Sequence, residues 1–176
     1  GSRFDDVAAR PYLASHIPEG ASAEGAFAFE DGTWRIESGA LIGHVKGAEV
    51  AGLHGRYRHS EVSARVSATK NAIVGVVAGH EPEGYKSALI FTIKAGKAPT
   101  WQLHQVIGEQ TTKLAGGPSP AASGLMTMRI VGGKLTCLLD GQQLCETFVS
   151  DQPGGRAGVY LQGGRATFSD FSSRQL

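Results

Sequence analysis

The sequence predicts an all-β protein, a two-sheet antiparallel β-sandwich of jelly-roll type. Glycine is abundant, 25 of 176 residues against 7 prolines, and it falls between short apolar runs, where turns need it. Ten or more such runs recur at regular spacing, several alternating apolar and polar residues with the two-residue period of a half-buried strand. No stretch of ten residues sustains the i, i+3, i+4 spacing of an amphipathic helix. The one helix-tolerant piece, DDVAARPYLASH (residues 5–16), is interrupted by Pro11.

Taken in order, TWRI (33–36) and ALIGHV (40–45) flank Glu37, Ser38 and Gly39 and read as a hairpin. SEVSARVSA (60–68) sets Val62, Ala64 and Val66 on one face, with Ser and Arg on the other. AIVGVVAG (72–79) is nearly continuous apolar sequence, the mark of a strand covered on both faces. SALIFTIKAG (87–96) aligns Leu89, Phe91 and Ile93. TWQLHQVIG (100–108) places Trp101, Leu103, Gln105 and Ile107 opposite Gln102, His104 and Val106. The run from Gly124 to Val149 reads as a three-strand meander with turns at Gly132-Gly133 and Asp140-Gly141, dipeptides that tolerate the positive φ of tight hairpins. The tetrapeptide GGRA occurs at 154–157 and again at 163–166. Each copy sits at the entrance of a predicted strand, AGVYLQ (157–162) and ATFSDFS (166–172), so its glycines read as turn chemistry. Arg156 and Arg165 are then either solvated side chains or ligand contacts.

Size and charge bound what such a sandwich does. A chain of 176 residues fits one domain with a sizeable core. The leading Gly-Ser reads as an expression-vector remnant, leaving residues 3–176 as a single domain that a longer natural protein could contain. The net charge is +1 and the basic residues are dispersed apart from a small cluster at RYRH (56–59), which argues against a nucleic-acid partner. No apolar run approaches the length of a membrane span, and no signal-peptide pattern is present. Two cysteines, Cys137 and Cys145, are too few for a disulfide scaffold or zinc cage. They flank a hairpin: a three-residue loop would set them face to face, a two-residue loop on opposite faces, so both a disulfide and two half-buried thiols are open.

The order of FDD, DGTWRIESGALIG, EGYKSALIF, KLTCLLDGQQL and GRAGVYLQGGRATFSDF resembles concanavalin A-like jelly-roll domains across almost the whole chain. Within them it is nearest to laminin-G-like and 3-keto-disaccharide hydrolase-like domains of bacterial secreted and cell-surface proteins, which are related to family 16 glycoside hydrolases. The resemblance implies two antiparallel sheets, one concave, with carbohydrate handled on the concave face or the loop rim, and a secreted, periplasmic or cell-surface location. The Glu-x-Asp-x-x-Glu pattern of family 16 glucanases is absent, so the expectation leans away from an enzyme.

Candidate chemistry gathers in few places. GHEPEGY (79–85) offers His80, Glu81, Glu83 and Tyr85 in one loop between strands, either as ligand contacts or, in an enzyme, as acid and base. Against this stands an exposed turn bent by Pro82 and Gly84. Trp101 offers a flat face for stacking on a sugar, if its side of the strand is open; its alternation with Leu103 favours a core position. His104, on the other side with Gln102, is a polar contact for an open sheet face. Trp34 belongs to the core. Asp5, Asp6 and Asp170, where the first and last strands of a jelly roll meet, are the candidate calcium ligands, with plain strand-end aspartates as the alternative. No Gly-x-Ser-x-Gly elbow and no phosphate-binding glycine loop is present. The expectation is a carbohydrate-binding module of a secreted or surface bacterial protein, using Trp101, His104, Tyr85, His80 and Glu83. A glycoside hydrolase or lyase acting on a modified sugar through Glu81, Glu83 and His80 is the first alternative, and a structural or protein-interaction module is the second.

Overall fold

The computed structural model describes residues 14–16, 26–53, 61–83, 86–149 and 155–175. Thirteen strands fill most of this length: β1 (Ala14–His16), β2 (Phe27–Ala28), β3 (Thr33–Glu37), β4 (Ala40–Leu53), β5 (Glu61–Ala68), β6 (Ile73–Glu81), β7 (Ser87–Lys94), β8 (Thr100–Ile107), β9 (Gln110–Pro118), β10 (Gly124–Val131), β11 (Lys134–Leu139), β12 (Gln142–Phe148) and β13 (Arg156–Arg174). All their pairings are antiparallel.

Two long strands build both layers. The first half of β13 pairs with β6 on one side and with residues 48–52 of β4 on the other. Its second half pairs with β5 and with residues 41–45 of β4. One sheet is therefore ordered β2-β4-β13-β6-β7-β8-β9, and the second runs from β3 and β4 through β13, β5, β10 and β11 to β12. Both long strands pass between layers at one corner, where the register shifts between Gln162 and Gly164 and Gly163 takes φ 66°. The second GGRA is thus the bend inside one long strand, rather than the entrance of a separate one: glycine lets the backbone turn the corner without breaking the ladder.

The inner faces make one core. Val74, Val76, Leu89, Phe91, Ile93, Leu103, Val159 and Leu161 face Leu41, Val62, Val66, Met126, Met128, Leu135 and Phe168. Trp34 lies there as expected, its ring stacked at 6.4 Å on Phe168 and its indole N–H donating to the Asp31 carbonyl at 2.8 Å. Its strand partner is Gly43, where a Cβ would run into the indole. β6 is buried on both faces, as its continuous apolar sequence requires: Val77 is fully buried although it points away from the core. The meander of β10, β11 and β12 forms with its expected turns, Gly132, Gly133 and Gly141 all having positive φ. Cys137 and Cys145 stand opposite each other in register as free thiols. Among the described residues, no helix is long and apolar enough to cross a membrane.

Candidate functional site

The outer face of the seven-stranded sheet is set by the same alternation that fills the core. On β13, Ala157, Val159 and Leu161 point inward, so Arg156, Tyr160 and Gln162 point out. On β8, Trp101 and Leu103 point inward, which turns Gln102, His104 and Val106 outward. Strand registers then assemble straight rows across this face. One row runs Val50, Tyr160, Gly75, Thr92, Gln102, Gly116; the next runs Gly52, Gly158, Val77, Ile90, His104, Lys113.

Gly75 opens the first row. It stands between Tyr160 and Thr92 with no side chain of its own, and an added Cβ would collide with the Phe91 carbonyl. A groove of about 420 Å³ lies over this part of the sheet, lined by Tyr160, Gln162, Ile73, Thr92, Ile90, Gln102, His104, Val106 and Thr111. Three aliphatic side chains give it apolar patches between amide, hydroxyl, phenol and imidazole groups. The Tyr160 hydroxyl donates to Gln162 Oε1 at 2.7 Å, which orients that amide. Burial lowers the pKa of His104 and the nearby Lys113 charge lowers it further, so its ring is neutral at pH 7 and can both donate and accept.

A second cleft of about 380 Å³ adjoins the face at the start of β13. Here Arg156 pairs in register with His80 of β6, and Glu30, Glu49, Pro82, Glu83 and Lys86 complete the walls. The carboxylate of Glu49 is committed, accepting from the backbone N–H of Glu30 at 3.2 Å and of Asp31 at 2.8 Å. Its burial nonetheless raises its pKa, against the lowering effect of those two bonds. His80 is pushed the other way, first by burial and then by the charge of Arg156, with Glu30 opposing.

The expected site residues therefore divide. His104 lies on the open face, as its alternation with Trp101 implied, and His80 and Glu83 line the second cleft. Trp101 is a correction: it is 7% exposed, packed edge-on against Phe91 at 6.4 Å, and belongs to the core. Its face cannot stack on a ligand, because period-two geometry puts it on the same side as Leu103. Glu81 caps its own loop, accepting from the Glu83 N–H at 3.4 Å. Tyr85, Asp5 and Asp6 lie outside the described residues. Asp170 is exposed and its carboxylate accepts from Arg65 Nε at 3.3 Å, so it faces a guanidinium. Among the described residues, no three His, Cys, Asp or Glu side chains come together in a metal-binding group.

Tyr160, Gln162 and Thr92 line the groove and Arg156 the second cleft, and of these four the sequence singled out only Arg156. The signal was present in AGVYLQ, where Ala157, Val159 and Leu161 alternate with Gly158, Tyr160 and Gln162.

No family model matches the chain, and no curated protein matches it significantly. Solved structures do. A carbohydrate-binding module, CBM66 from Bacillus subtilis, superposes with a TM-score of 0.72 at 11% identity, covering 84% of this chain and 95% of its own. A β-1,3-1,4-glucanase (lichenase) from a mouse hindgut metagenome gives 0.67 at 9% identity, covering 92% and 97%. A Bacillus subtilis protein with a galectin-like fold gives 0.64 at 14% identity, covering 85% and 89%. At such identities the likeness is one of architecture, and the chain has the fold of the concanavalin A-like jelly rolls.

Proposed function

We propose that this protein is a saccharide-binding module whose site is the groove on the outer face of the seven-stranded sheet, in a protein that works outside the cytoplasm. The observation that carries this reading is the row of Tyr160, Thr92 and Gln102, flanked by His104 and Gln162, around an open groove with an aliphatic floor. Sugars offer hydroxyl donors and acceptors around apolar ring faces, and such a surface matches them with amphoteric partners rather than fixed charges. None of the described groove-lining side chains is a carboxylate. Retaining and inverting hydrolysis commonly use a carboxyl pair across the scissile bond, which the described groove residues do not supply. Among the structural neighbours, one is named a carbohydrate-binding module.

The test is a glycan array followed by calorimetric titration of any ligand found, with His104→Ala and Tyr160→Ala compared with wild type. Each removes one hydrogen-bonding group from the groove and is expected to weaken binding about tenfold or more. Wild-type affinity in both variants would remove the groove from the reading.

A hydrolase reading has one observation in its favour: Glu49, in the second cleft beside His80, has a raised carboxyl pKa. Both its oxygens are held by backbone N–H groups, which suits an anchor for the Glu30-Asp31 turn better than a proton shuttle. Mass spectrometry of the bound glycan after prolonged incubation decides between them: an unchanged mass supports the module, and a cleaved product abolished by Glu49→Gln supports the enzyme. The interaction-module reading needs a large exposed apolar patch. Among the described residues the exposed large hydrophobics are Val131 and Phe148, flanking Lys134 at one hairpin end.

A further inference from the structure

The cleft at the start of β13 holds a positive charge that no described carboxylate pairs with. Arg156 lies with its stem over Gly52, where a Cβ would stand 3.5 Å from Arg156 Cβ and Cδ and 3.6 Å from His80 Cδ2. Gly52 is thus a bare floor on which the arginine stem and the imidazole rest side by side. Among the described residues Arg156 makes no ion pair, although three glutamates line the same cleft. Glu49 is tied to two backbone N–H groups. At His80 the charge of Arg156 outweighs that of Glu30. Lys86 adds a second cation to the wall. A guanidinium packed along its stem, with its fork in no ion pair among the described residues and beside a neutral imidazole, presents preoriented donors for a planar or tetrahedral oxyanion.

The position connects this charge to the groove. Arg156 and Tyr160 point from the same face of one strand four residues apart, about 13 Å, a separation that one oligosaccharide can span. We propose that Arg156, with His80 beside it, is an anion subsite of the saccharide site, so that the ligand is a glycan carrying a carboxylate or sulfate ester. The subsite rests on the sheet-face reading for its glycan, but its oxyanion chemistry can be probed independently.

Two measurements separate the two ideas. In the first, the ring resonances of His80 and His104 are followed by NMR as free galacturonate is added, with galactose as the neutral control. Galacturonate is expected to shift His80 saturably, galactose to leave it in place, and Arg156→Gln to abolish the shift. Arg156→Lys, which keeps the charge and loses the fork, should retain a weakened response. No shift of His80 with galacturonate nor with galactose 6-sulfate titrated in the same way, or an undiminished shift in Arg156→Gln, overturns the subsite whatever the groove does. In the second, wild type, Arg156→Gln and His104→Ala are titrated with oligogalacturonate, sulfated galactan oligosaccharide and a neutral galactan of equal length, at low and high salt. One of the two anionic glycans should bind about tenfold tighter than the neutral one, with that advantage lost in Arg156→Gln and in high salt. Which one binds distinguishes carboxylate from sulfate. His104→Ala should weaken acidic and neutral glycans alike. Equal binding of acidic and neutral glycans, with His104→Ala still damaging, sinks the subsite and spares the groove. A His80 response without any glycan bound along the sheet spares the oxyanion site and sinks the groove.

Discussion

Trp101→Ala separates a core tryptophan from a sugar platform. The side chain is 7% exposed and stands on the inner face of β8, between Thr100 and Gln102, which point outward. A tryptophan buries about 150–250 Å² of surface, which at about 25 cal/mol per Å² is worth about 4–6 kcal/mol. Aromatic-to-alanine changes in cores cost about 3–5 kcal/mol. For a domain of this size each kcal/mol shifts Tm by about 2–4 °C, so the variant should melt about 6–20 °C below wild type. Its affinity for saccharide, measured well below the new Tm, should be unchanged. Trp101→Phe keeps an aromatic edge toward Phe91 and should recover much of the lost stability. Differential scanning calorimetry and titration calorimetry on the same samples report both quantities. Wild-type stability together with abolished binding would place the indole on the ligand side and refute the assignment of inner and outer faces.

Glu61 is a buried carboxylate that accepts from Arg129 Nε at 2.8 Å and Arg174 Nε at 2.9 Å. Burial alone would raise its pKa, but these hydrogen bonds and charges hold it below the ordinary carboxylate value. Its stabilising contribution is therefore present above about pH 4.5 and lost as pH falls through the lower folded value. Both arginines are about half exposed, so Glu61→Ala should cost only about 1–3 kcal/mol at pH 7, and progressively less as pH falls through that lowered value. A flat difference between variant and wild type from pH 7 to 3, read by thermal melts, would contradict this. His80 and His104 both have lowered pKa values, so the unfolded chain binds more protons and stability should fall as pH drops below about 6.5. A His80→Gln/His104→Gln double variant should lose that slope. Gly43→Ala forces a methyl into the Trp34 ring and should cost about 1–3 kcal/mol by chemical denaturation; a neutral result would mean that Trp34 packs elsewhere. Burial pushes the Cys137 thiol far up, while Cys145 is half-buried with a smaller rise. Iodoacetamide should label Cys145 first, and Cys137 only on unfolding, as read by peptide mass spectrometry.

Strand existence was legible wherever a strand has one buried face. TWQLHQVI and GLMTMRIV announce themselves because inward and outward residues alternate, and the same alternation assigned His104 correctly to the open side. β9 went unseen because it is an edge strand with no fully buried residue, and QTTKLAGGP has no apolar period to show. The continuity of β4 and β13 through their shared corner was hidden for another reason. Their glycines look like turn signals, and only pairing with a second long strand through the same corner makes them a bend. Trp101 shows the cost of weighing a residue by type: its chemistry suggested a sugar platform, while its two-residue spacing from Leu103 already placed it inside.

The site itself is a product of strand order, which local sequence does not encode. Arg156 and His80 are 76 positions apart and become neighbours because β13 inserts between β4 and β6. Residues 50, 160, 75, 92, 102 and 116 form one straight row for the same reason, although each is unremarkable in its own segment. The central position of β13 also explains how the chemistry is divided. Its first half lies beneath both clefts, so a single strand carries Tyr160 and Gln162 to the uncharged groove and Arg156 to the charged one. A one-residue slip of β13 would withdraw all three at once and put Ala157, Val159 and Leu161 in their place. The core that holds Val159 and Leu161 inward is therefore what positions the polar face, and the proposed groove and the packing of the sandwich depend on the same register.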